Sequence, residues 1–179
     1  MRRSTAGTLA LAILVTALAA AALAAETPVR VLLVYGGHAF DTNQFFATFD
    51  ALPGIRVERA KFPEVAARLK PGLEKEFDVI VRYDMFKPAS PEDRKNFLDL
   101  MATGIGLVAT HHCIASHPDW PEYARLIGGK YLQKPETIDG KELPKSGFSH
   151  GEDMNVNVVD GTHPVSRGIA GFPIHIMSS

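Results

Sequence analysis

The sequence predicts an α/β domain built on an open, mostly parallel sheet with helices on both faces. Three observations predict it. Strand-like and helix-like stretches alternate along the chain, the pattern of consecutive βα units. Two runs, Val31-Leu32-Leu33-Val34-Tyr35 and Gly106-Leu107-Val108-Ala109-Thr110, are almost continuously apolar, as strands covered on both faces are. Both runs stop abruptly at imidazole, at Gly36-Gly37-His38 and at His111-His112. Open parallel sheets place ligand sites just outside the carboxyl ends of their strands, so two such strands side by side bring several histidines to one crevice.

The elements follow in order. Residues 1–25 read as a secretory signal peptide: Arg2-Arg3 is the positive start, Leu9 to Leu23 is almost wholly apolar, and Ala22-Leu23-Ala24 offers small residues for cleavage. The chain lacks a stop-transfer charge cluster after this run, so no lasting membrane span is expected, and the destination is periplasmic or secreted. The folded domain is then 26–179. Val29 to Tyr35 is the first strand, ended by Gly36-Gly37. Asp41, with Gln44 three residues on, caps a helix whose Phe45, Phe46, Phe49 and Leu52 recur at helical spacing, stopped by Pro53-Gly54. Ile55 to Ala60 is a short strand and Pro63 to Leu69 a short helix. Phe77 to Tyr83 is a third strand, ending at Asp84. Ser90-Pro91-Glu92-Asp93 starts a helix with a cap, a first-turn proline and acidic residues, and Gly104 ends it. Ile105 to Thr110 is the fourth strand, and Trp120 to Ile127 a helix stopped by Gly128-Gly129. Gln133 to Asp153 is a polar surface loop or small hairpin. Met154 to Val159 alternates like a strand near a sheet edge, and Phe172 to Met177 is one more short strand.

Charge and cysteine content narrow the function. Without the leader the chain carries 17 basic and 20 acidic residues and no basic patch, which makes nucleic acid an unsuitable partner. The single cysteine, Cys113, has no internal disulfide partner. It is a buried thiol or a reactive one.

The candidate site residues come from the strand ends. His38, after two glycines that allow a tight turn and a close ligand approach, could act as a general acid or base. His111 and His112 are adjacent. In an extended segment they point to opposite faces, so both serve one ligand only if the chain turns between them. Asp84 could orient a histidine or accept sugar hydroxyls, or it could simply bond its own turn. Trp120 offers a broad apolar face on which a sugar ring could stack, or a core anchor. Seven histidines are present without a metal-binding spacing motif. A divalent metal held between loops, for instance by His38, His112 and His150, is the one cofactor to consider; none is predicted.

Beyond these readings, the chain resembles the ThuA-like (trehalose utilisation) family, within the class I glutamine-amidotransferase-like fold. The matching pieces are Tyr35-Gly36-Gly37-His38, Tyr83-Asp84-Met85, Gly106 to His112, Trp120-Pro121-Glu122-Tyr123 leading to Leu126-Ile127-Gly128-Gly129-Lys130-Tyr131, and Thr162-His163-Pro164-Val165 with Gly168-Ile169. Their order and spacing agree from about Val29 to Ile174. The resemblance implies a three-layer, flavodoxin-like open sandwich and a role in carbohydrate metabolism. Two departures stand out. The turn that usually presents a nucleophilic cysteine carries His111-His112, with Cys113 beyond it. The family pattern also continues past Ile174-His175, so the resemblance implies a domain truncated at its C-terminus.

The expectation is an exported protein acting on a small-molecule carbohydrate, a sugar or keto-sugar. His38, His111 and His112 would do acid–base work with Asp84, while Gly36, Gly37, Trp120 and His150 would bind substrate. The rival readings are a non-catalytic carbohydrate-binding domain and a cysteine-dependent hydrolase or amidase.

Overall fold

A computed structural model describes residues 27–85 and 88–176; the signal-peptide reading of residues 1–25 lies outside them. Four parallel strands form the central sheet: β1 (Val29–Gly36), β2 (Ile55–Lys61), β3 (Val79–Asp84) and β4 (Gly106–Ala109). Their spatial order is β2-β1-β3-β4. This is the doubly wound, flavodoxin-like arrangement, in which strand order reverses between β1 and β3. β1 is paired along both edges, with Val31 opposite Val57 on one side and Val79 on the other. Helices also cover both of its faces, which explains the unbroken apolar run.

Strand alternation splits the core into two layers. Val31, Leu33 and Val81 face helix α1 (Thr42–Asp50) and pack on its Phe45, Phe46 and Phe49. Leu32, Val34 and Ile80 face the other way. They meet Phe97 and Leu100 of α2 (Pro91–Ala102) and Tyr123 of α3 (Pro121–Ile127). The expected helix signals do their work. Asp41 accepts from the Gln44 amide at 3.0 Å. Ser90 and Asp93 cap each other reciprocally, a device worth about 1 kcal/mol. Gly128 closes α3 in the left-handed region.

Some elements differ from expectation. Pro63 to Leu69 holds no α-helix, only turns and one 3-10 turn at Ala66–Arg68. The segment is short, and Pro71 pushes Lys70 away from helical geometry. The polar stretch after Gln133 contains a hairpin, β5 (Glu136–Ile138) and β6 (Lys141–Leu143), with Asp139-Gly140 at positive φ in its turn. β7 (Glu152–Val156) pairs antiparallel with β8 (Phe172–Ile176) in a separate two-stranded ribbon, not at the edge of the main sheet. Among the described residues, no helix is long and apolar enough to cross a membrane.

Candidate active site

The carboxyl ends of β1, β3 and β4 meet at the point where the strand order reverses. Two glycines carry the chain off β1, with φ of 137° at Gly36 and 84° at Gly37. A Cβ on Gly37 would lie 1.9 Å from the Met85 carbonyl oxygen, and one on Gly36 would lie 2.7 Å from that of Phe62. Neighbouring backbone alone therefore requires glycine at both positions. Their effect on the site is indirect: the loop after β1 lies against the end of β3, and His38 arrives there.

His38 is half-buried and oriented by main chain. Its Nδ1 lies 3.1 Å from the Ala39 carbonyl oxygen and its Nε2 3.4 Å from that of Tyr83. Whichever nitrogen carries the proton finds an acceptor. The ring stacks on His112, with centroids 4.0 Å apart and planes 26° apart. Directly after β4, residues His111–Ala115 form a 3-10 turn, so the chain does turn between the two adjacent histidines. Their rings lie 4.5 Å apart, nearly perpendicular, with His111 exposed and His112 half-buried. The three imidazoles form one cluster.

Tyr83 forms the wall of this cluster, 4.7 Å from the His38 ring and 5.4 Å from that of His112. Phe45 stacks on Tyr83 at 4.3 Å, and Phe40 meets both at 5.1 Å. The surroundings are thus largely apolar. Burial, then the neighbouring His38 and His111, push the His112 pKa down to about 4 from the ordinary 6.5. Its Nδ1 is buried without a hydrogen-bond partner among the described residues. At neutral pH, His112 is an uncharged imidazole.

Beneath the cluster, alternation along β3 sends Arg82 and Asp84 into the opposite core layer. Both are essentially inaccessible to solvent. Arg82 grips the Asp84 carboxylate through Nε at 2.7 Å and Nη2 at 2.5 Å. It also donates to His117 Nε2 at 2.9 Å. The rings of Phe62, Phe97 and Tyr123 surround its guanidinium at 5.0–5.5 Å. Removing one partner of such a buried pair strands a charge, a loss of about 3–5 kcal/mol.

This geometry revises several expected roles. Asp84 neither orients a clustered histidine nor faces a crevice, because its carboxylate is committed to Arg82 and Ser116. Trp120 is no sugar platform. It is sealed in the core, stacked on Tyr123 at 5.5 Å and 5.2 Å from His117. His150 is exposed and touches Phe148. No ring contact or hydrogen bond joins it to the three-histidine cluster among the described residues. No group of three or more His, Cys, Asp or Glu side chains among the described residues has metal-holding geometry. Cys113 is buried, donates its thiol to the Arg82 carbonyl at 2.8 Å, and has its pKa raised by burial and by Asp84. It has the attributes of a structural thiol, not an activated nucleophile.

Sequence reasoning placed the three histidines together but did not single out Phe40 and Tyr83 as their wall, nor Arg82 beneath. The sequence signal for Arg82 was one charged residue inside a buried apolar strand. An open recess of about 430 Å³ lies at the other end of the sheet, lined by Arg30, Arg56, Glu58 and Glu76. Its carboxylates already pair with Arg68, so it gathers no comparable set of reactive groups. No family model, curated protein or solved structure matches the chain.

Proposed function

We propose that this chain is an exported ThuA-like protein of carbohydrate metabolism that acts on a sugar or keto-sugar by histidine acid–base chemistry. The observation that carries the reading is the stacked His38–His112 pair, walled by Tyr83, at the strand-order reversal. The ThuA-like motifs supply the substrate class, since His38, Tyr83, His111 and His112 all belong to them.

The chemistry divides between the rings. An imidazole held near a pKa of 4 is a poor base at neutral pH but a good neutral hydrogen-bond donor to a carbonyl oxygen, a role that neutral histidine fills when its pKa is depressed. His112 would polarise the carbonyl of a keto-sugar. His38 would take the proton from the adjacent carbon, with the electron pair moving to the carbonyl oxygen. If the former carbonyl oxygen then gains a proton and the adjacent hydroxyl gives one up, returning the His38 proton to the former carbonyl carbon completes isomerisation. If instead the oxygen's electron pair reforms the carbonyl and breaks the bond to a leaving oxygen one carbon further on, that oxygen takes the proton from His38 and the outcome is elimination. Glycoside hydrolysis in its usual form needs two facing carboxylates, and the Asp84 carboxylate at the end of β3 is turned inward. Phe40, half-buried beside His38, would give ring surface to the apolar face of a sugar in place of the buried Trp120.

The test is incubation with 3-keto-sugars in D₂O, following deuterium entry beside the carbonyl. The wild-type protein incorporates deuterium. His38→Ala and His112→Ala each slow incorporation by about 100-fold or more while sugar binding persists. Saturable binding with no exchange on any keto-sugar would establish the non-catalytic carbohydrate-binding alternative instead. Cys113→Ala retains activity; its loss in a folded variant would favour the cysteine-dependent reading.

A further inference from the structure

The turn carrying His111 and His112 is fastened at both ends to two residues of one strand. Before it, the Thr110 amide and Oγ1 donate to the Arg82 carbonyl at 3.1 and 2.7 Å, joined by the Cys113 thiol at 2.8 Å. After it, Ser116 Oγ donates to the Asp84 carbonyl at 2.6 Å and lies 3.1 Å from Asp84 Oδ2. The side chains of these two anchors are locked to each other in the buried ion pair. Between them stands Tyr83, whose ring faces His112 and whose carbonyl faces His38 Nε2.

We propose that Thr110 and Ser116 are positioning residues, which clamp the turn onto the Arg82–Asp84 pair and so set His112 against His38 and Tyr83. Neither side chain belongs to the histidine cluster. Ser116 is buried, and its hydroxyl is directed at β3. Each acts only through the placement of His112. The clamp turns a surface loop, the ordinary home of catalytic residues, into an extension of the rigid sheet. It deepens the reading above by explaining how a half-buried imidazole is kept against two others. Its test requires no substrate.

The test follows the imidazole ring signals of the full chain by NMR as pH is lowered, in wild type, Ser116→Ala, Ser116→Thr and Thr110→Val. The titratable groups against His112 are His38 from the loop after β1, His111 and Cys113 from its own turn, and Tyr83 from β3. In wild type, the His112 midpoint lies near 4. In Ser116→Ala and Thr110→Val it moves up toward the ordinary value near 6.5 as the ring leaves its packed position. Ser116→Thr, which keeps the hydroxyl, restores the low midpoint. A general loss of stability lowers the unfolding temperature without shifting one histidine in the folded state. Should Ser116→Ala fail to fold, Thr110→Val reads the other end of the same clamp. A folded variant at either end with an unmoved His112 midpoint overturns the proposal. A low midpoint that depends on the clamp, in a protein inert toward every keto-sugar, would keep the clamp and sink the catalytic reading.

Discussion

At the residue scale, His112 links the site to stability. Its pKa falls from 6.5 to about 4 on folding, so between those values the unfolded chain binds more protons than the folded one. Stability therefore rises with pH through this window. The uncharged ring's contribution is complete above pH 6.5 and is lost as pH falls toward 4. The ring keeps some contact with solvent, which reduces the effect; ~1 kcal/mol between pH 7 and pH 5 is the expected size. Urea unfolding at the two pH values checks it: His112→Asn loses ~1 kcal/mol less than wild type on acidification. Equal losses in the two proteins would mean that His112 takes up its proton without cost in the fold. Cys113 illustrates the opposite case, a residue with reactive chemistry whose surroundings keep it protonated.

At the scale of elements, the site depends on how closely two strand ends approach. The loop leaving β1 touches the chain leaving β3 so tightly that the Met85 carbonyl occupies the place of a side chain at Gly37. Its backbone is also in the left-handed region, at φ 84°. Gly37→Ala accordingly destabilises the domain by about 2 kcal/mol or more, combining strain with a backbone clash. Thermal unfolding measures this, and loss of the His38–His112 ring proximity accompanies it. A Gly54→Ala control separates the two causes. Gly54 shares the positive φ, at 74°, but among the described residues no atom beyond its chain neighbours lies within 4 Å of the point an added methyl group would occupy, so it carries the strain alone and costs less. The two edges of the sheet also differ. β2 carries Arg56, Glu58, Arg59 and Lys61, charges that discourage edge pairing, whereas β4 carries none and exposes Val108.

Across the whole molecule, burial is unevenly distributed. Among the described residues, every buried one lies between Val31 and Leu132; from Gln133 to His175 none is buried, and Phe148, Val159, Val165 and Phe172 are exposed. Local opening free energy follows buried apolar contact, so hydrogen exchange will divide the chain at the same place. Amides of β1 and β3 exchange slowest, near the global unfolding limit, and those of β5 to β8 exchange many-fold faster. Equal protection in the β7–β8 ribbon and in β1 would contradict this distribution.

What was legible in the sequence follows from local rules. Apolar runs marked β1, β3 and β4, helical spacing of Phe45, Phe46 and Phe49 marked α1, and Ser90-Pro91 with Asp93 marked the start of α2. Because parallel strands end on one side of a sheet, the gathering of His38, His111 and His112 was also foreseeable. Tertiary structure alone decided the rest. Whether Asp84 and Trp120 faced a ligand or the core depended on which layer each side chain entered, and that is set by partners distant in the chain, as with Ser116 and Asp84, 32 residues apart. The depressed pKa of His112 likewise has no local signature, because it arises from desolvation and from a ring delivered by a different strand.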